Sequence, residues 1–112
     1  MLKYDLYLND ILRAIELIEN SLRDKKFEDF EKNPDLVDSN SMRLQVIGES
    51  ISKIPSTLRN KYKEVEWEKF IQTRNIISHA YFAVNKKILW DLIKKDIPKF
   101  KKIMVKIKKE NE

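Results

Sequence analysis

Five residues between positions 74 and 81 could do chemistry together: Arg74, Asn75, Ser78, His79 and Tyr81. His79 is the only histidine of the chain, five residues after Arg74 and two before Tyr81. An arginine can grip a phosphate through two parallel N–H bonds and offset the charge that develops on it. A histidine can give or take a proton near neutral pH. Together they suit transesterification of a phosphodiester, in which a ribose 2′-OH attacks the adjacent phosphorus and an acid protonates the departing 5′-oxygen. Such a reaction needs both an acid and a base, and each chain offers one histidine. A two-fold dimer would bring two copies of His79 and Arg74 to one cleft.

The element that carries these residues is Trp67 to Tyr81, WEKFIQTRNIISHAY. Trp67, Phe70, Ile71 and Ile77 predict a helix with one face buried in a bundle. On an ideal helix, positions five apart diverge by about 140°, so Arg74 and His79 do not share a narrow face. They converge only if the helix ends before His79 or if the cleft lies between two chains. Ser78 is one turn from Arg74 and is the natural supporting residue, and Tyr81 realigns with Arg74 if the helix persists. The helix dipole at a C-terminus favours a charged imidazole, which suits a proton donor. From spacing alone, a helix cap with surface ion pairing is the commoner explanation of such an Arg/His pair, and Tyr81 reads as a core-edge tyrosine.

The other elements follow from periodicity and capping. A first helix is expected over about Tyr4–Asp24, with a stripe of Tyr4, Tyr7 or Leu8, Ile11, Ile15, Ile18 and Leu22. The charged segment KKFEDFEK brings Phe27 and Phe30 back to the core. Asn33-Pro34 reads as an N-cap followed by proline in the first turn. The second helix then runs through Leu36, Met42, Val46, Ile47, Ile51 and Ile54, to be stopped by Pro55. It contains Gly48, the only glycine. Glycine there costs about 1 kcal/mol relative to alanine, so a close helix contact, within the chain or across a dimer, is the expected compensation. Ser56 should cap a short helix over Thr57–Tyr62. Asn85 should cap the last helix, about 86–110, whose stripe is Ile88, Leu89, Leu92, Ile97, Phe100, Ile103 or Met104, and Ile107. Pro98 should kink or break it. The expected architecture is all-α: an up-and-down bundle of four main helices plus a short one.

The totals agree with one domain spanning residues 1–112, at 42% apolar and 37% charged residues. Cysteine is absent, which removes disulfides and thiolate metal sites, and one histidine argues against an all-protein zinc site; no metal or other cofactor is expected. No apolar run approaches the roughly 20 residues of a membrane span, and the N-terminus lacks a signal-peptide pattern, so the expected compartment is the cytoplasm. The net charge of +5 is concentrated in residues 85–112, where ten lysines face four carboxylates. Such a segment favours polyanions, although a solvated helix face has the same composition.

At Arg74-Asn75-Ile76-Ile77-Ser78-His79-Ala80-Tyr81 the sequence resembles the HEPN superfamily, and within it the HepT-like group. The signature is Arg, four residues, His, one residue, Tyr. The similarity extends to DILRAIELI (Asp10–Ile18), RLQVIGESI (Arg43–Ile51), Trp67 and ILWDLI (Ile88–Ile93). The resemblance implies a homodimer with both motif helices at one cleft, and a metal-independent endoribonuclease acting as a toxin on RNA. It makes His79 the catalytic acid or base, Arg74 the phosphate ligand and Asn75 a supporting polar residue. It also implies a small nucleotidyltransferase antitoxin that uses ATP to place AMP on Tyr81, adding bulk and charge beside the phosphate pocket. Two other readings fit the same residues. One is a non-catalytic helical module that docks a nucleotidyltransferase and its nucleotide or substrate. The other is a plain nucleic-acid binder using the lysine-rich last helix.

Overall fold

The computed structural model describes residues 4–110, and every regular element in that range is helical. Helix α1 spans Asp5–Ser21 and buries Leu8, Ile11, Ala14, Ile15 and Ile18, as its stripe predicts. It stops three residues short of the expected end. Leu22 closes its last turn onto Ile18, and Asp24 takes a left-handed φ of 62°, which a short polar side chain tolerates. The segment read as charged contains a short helix, α2 (Phe27–Glu31), whose entry is fixed by the Lys26 N–H donating to Asp29 Oδ2 at 2.9 Å. Phe27 and Phe30 reach Trp90 on the last helix, with ring centroids 6.0 and 5.5 Å away.

Asn33 caps α3 (Pro34–Ser52) by accepting from the Asp35 and Leu36 N–H groups at 3.0 and 3.3 Å. The buried face of α3 is Val37, Leu44, Ile47 and Ile51, with Asn40 enclosed among them. Met42 and Val46, expected in the core, are 61% and 38% exposed. They lie on the other side of the helix, so the apolar residues of α3 form two stripes rather than one. The short helix α4 is Ser56–Arg59 rather than Thr57–Tyr62. Ser56 is inside it, Pro55 holds the N-cap position, and no side chain caps the turn.

Helix α5 (Trp67–Ala80) is the motif helix. Its start is anchored by the Trp67 indole N–H, which donates to the carbonyls of Arg59 and Tyr62, each at 3.1 Å. Its inner face stacks on the last helix: Phe70 lies 4.5 Å from Phe100, and Trp67 meets the edge of Phe100 at 5.8 Å. After a 3₁₀ turn (Tyr81–Ala83), Asn85 caps α6 (Lys86–Asp91) by accepting from Lys87 and Ile88. The chain continues through a π turn at Leu92–Asp96 into α7 (Ile97–Glu110). No break occurs at Pro98. The Ile97 N–H reaches back five residues to Leu92, and this widened turn directly before the proline accommodates its ring. Ile88, placed in the core by its spacing, is 61% exposed at the first turn. Four long helical stretches therefore surround one apolar core, with α5 packed chiefly on α3 and α3 on α1. No helix among the described residues is long and apolar enough to cross a membrane.

Candidate active-site groove

The position of the motif helix is set by a glycine. A Cβ built on Gly48 would stand 2.4 Å from Arg74 Cβ, 2.9 Å from Arg74 Cγ and 3.0 Å from the Phe70 carbonyl oxygen. These are clashes, so only glycine lets α5 approach α3 this closely. The close contact expected of Gly48 is thus within the chain. Its neighbour across the gap is Arg74 itself.

That approach lays three motif residues along α3. Arg74 pairs with Glu49 at 2.8 Å and donates to Asn75 Oδ1 at 3.0 Å, so both of its terminal amino groups are held while the side chain stays one-third exposed. Gln45 donates to Ser78 Oγ at 2.6 Å. The Tyr81 hydroxyl donates to Asp38. This bond, helped by partial burial and by the Asp38 charge, pushes the phenol pKa above its ordinary value. The α3 partners Asp38, Gln45 and Glu49 recur at helical spacing on one face. The sequence offered that periodicity and no indication of what it faces.

A groove of about 420 Å³ opens beside Arg74, with Met42, Val46 and Glu49 from α3, Lys53 just after it, and Tyr7 and Asp10 from α1 on its walls. A second groove of about 380 Å³ continues past Gln45 and Ser78 to Tyr81 and Asp38. Met42 and Gln45 line both, so the two are contiguous along α3.

His79 is not brought to Arg74 within the chain. Helix α5 runs through position 79 and leaves helical geometry only at Ala80, with φ −148° and ψ 49°. The imidazole is therefore turned about 140° from Arg74, as an unbroken helix requires. It is exposed and makes no hydrogen bond or ion pair among the described residues. Asn75 shares that outward side, one turn away. Arg74, Ser78 and Tyr81 all reach partners on α3, while His79 faces solvent.

Comparison with known proteins identifies the family of the chain. The chain is 41% identical, over 94% of its length, to a protein of Methanocaldococcus jannaschii named "gamma-glutamylcyclotransferase and putative RNase", of which it spans about half (47%). It is 37% identical over 92% of its length to a "probable ribonuclease HepT" of Thermococcus cleftensis, covering 94% of that protein. With a "putative RNase" of Caldanaerobacter subterraneus subsp. tengcongensis it shares 35% identity over 86% of each chain. No solved structure matches the chain. The family described as "Ribonuclease HepT-like" is matched from residue 11 to residue 107, a range that contains the whole groove wall on α3 and α5, and the chain belongs to that HepT-like family.

Proposed function

We propose that this protein is a metal-independent endoribonuclease toxin that works in the cytoplasm as a homodimer. Arg74 holds the scissile phosphate, the two copies of His79 serve as acid and base for 2′-OH transesterification, and Asn75 and Ser78 support them. A nucleotidyltransferase antitoxin neutralises it by moving AMP from ATP onto Tyr81. The observation that carries this reading is the divergence of Arg74 and His79 on one intact helix. Within a protomer they point apart, and a composite site that draws them from two chains brings both to one phosphate. The exposed apolar pair Met42 and Val46 beside Arg74 supports the same reading, since it is the kind of surface that a second copy covers. The ribonuclease names of the relatives support the substrate class.

The test is incubation of purified protein with total cellular RNA in EDTA, beside His79→Ala. Cleavage by the unsubstituted protein alone, leaving 2′,3′-cyclic phosphate ends, is the expected result. A dimeric protein free of AMP that cuts no class of RNA refutes the enzyme reading. It would leave a helical docking module for the nucleotidyltransferase.

A further inference from the structure

We infer that Asp38 is the proton acceptor for Tyr81 when that tyrosine is used as a nucleophile, which makes this chain supply its own base for its modification. The inference rests on the reading of Tyr81 as the AMP acceptor. It goes beyond that reading by assigning a catalytic group on the acceptor protein, forty-three residues away in sequence, on α3.

The geometry has three parts. The Tyr81 hydroxyl donates to Asp38 Oδ1, so the proton that must leave is already directed at a carboxylate. Asp38 lies on the exposed face of α3, and among the described residues no ion pair holds its carboxylate. It is therefore not neutralised by a cation and stays available as a base. The pair also stands where two spaces meet. One is the groove leading along α3 towards Arg74. The other is a cleft of about 470 Å³ between Pro34 and Val37 on one side and Tyr81, Phe82 and Val84 on the other, with Lys86 at its edge. That volume falls within the roughly 300–1,000 Å³ usual for small-molecule sites. Phe82 is fully exposed at this cleft and offers a ring face for a base to stack on.

In the step itself, Tyr81 Oη attacks the α-phosphorus of a nucleoside triphosphate. The Oη–P bond forms, the bond from the α-phosphorus to the bridging oxygen breaks, and pyrophosphate leaves with the electron pair. The phenolic proton passes to Asp38, which later releases it to solvent. The same hydrogen bond that raises the phenol pKa keeps Tyr81 neutral until attack, so its proton passes to Asp38 as the Oη–P bond forms rather than by ionisation beforehand. The other charged group lining the cleft is Lys86, and His79 stands two residues before Tyr81 on its own helix.

The experiment measures AMP transfer to the 112-residue chain by a purified antitoxin-type nucleotidyltransferase with ATP and Mg²⁺, followed by intact mass, for the unsubstituted chain, Asp38→Asn and Tyr81→Phe. Asp38→Asn keeps the size and a hydrogen-bonding group and removes the base. It should slow transfer by about 100-fold or more, the usual worth of a general base. Its residual rate should rise by about tenfold per pH unit, because the phenol must then ionise unaided. Asp38 is exposed, so folding of the variant is checked simply by its helical signal and its melting. Normal transfer to Asp38→Asn, with none to Tyr81→Phe, overturns the role of Asp38 and leaves Tyr81 as the acceptor. Absence of transfer to the unsubstituted chain, or undiminished transfer to Tyr81→Phe, overturns both.

Discussion

Replacing Gly48 by alanine tests the central packing argument. The added Cβ would lie 2.4 Å from Arg74 Cβ, whereas carbon atoms rest at about 3.5–4.0 Å, so α3 and α5 must separate by roughly 1 Å or more at this crossing. Backbone and Cβ atoms make up most of the clash, so rotation of a flexible side chain does not relieve it. Overpacking of this kind costs about 1–3 kcal/mol. Alanine regains about 1 kcal/mol of helix propensity over glycine, which leaves a net loss of roughly 1–2 kcal/mol when the clash is at the upper end. For a chain of this size that is a fall of very roughly 5–15 °C in the melting temperature. Thermal unfolding should be followed at fixed protomer concentration, because the stability of the proposed dimer would depend on concentration. A double-mutant cycle sharpens the result. Arg74→Gly removes the Cβ and Cγ contacts and should relieve much of the Gly48→Ala penalty, whereas Arg74→Ala keeps the closest atom and should relieve little. A Gly48→Ala protein as stable as the parent or more so, the usual result for an open helix glycine, would refute the claim that this residue sets the spacing of the groove.

Further outcomes follow from other parts of the molecule. Asn40 is fully buried, donates to the Leu36 carbonyl and accepts from Ser21 and Arg43, so Asn40→Ala removes three hydrogen bonds and the link between α1 and α3, leaving Ser21 and Arg43 only the Ile18 and Leu17 carbonyls. Denaturant titration should register a loss of about 1–3 kcal/mol; a change within error would mean that the network is not holding α1 to α3. Tyr62 donates to Glu110 at 2.5 Å, and that bond is the main cause of a phenol pKa pushed up to about 12. A raised folded-state pKa means that the stabilisation is full below pH 10, the ordinary tyrosine value, and is lost as pH climbs towards 12. The stability difference between the parent and Tyr62→Phe should therefore shrink over that window, and a pH-independent difference contradicts it. Met42→Lys with Val46→Lys places two charges on the exposed α3 stripe. It should yield monomers by light scattering and abolish RNA cleavage with helical content intact, while a persisting dimer would move the interface elsewhere.

Sequence alone determined the main helices, because periodicity and most of the capping are local. Asn33 before Pro34 and Asn85 before Lys86 cap as read, and the stripe of α1 is buried as read, since each depends only on residues within a turn or two. Arg74 and His79 were likewise legible as facing apart, because 100° per residue needs no partner to compute. Whether the helix ended before His79 was open in the sequence; the described fold carries it through to Ala80. The rest was decided by tertiary structure, because it concerns what lies across a gap. Nothing near Met42 or Val46 in sequence told their stripe from the core stripe one turn round, and Pro98 carried no sign that a π turn would absorb it. The contact of Gly48 with Arg74 joins positions twenty-six apart, and those of Glu49 with Arg74 and Asp38 with Tyr81 are as remote. A pattern marks which face of a helix is special. Only the packing of α5 against α3 says which groups meet there, because that pairing is fixed by the shapes of the two surfaces rather than by either strand of sequence.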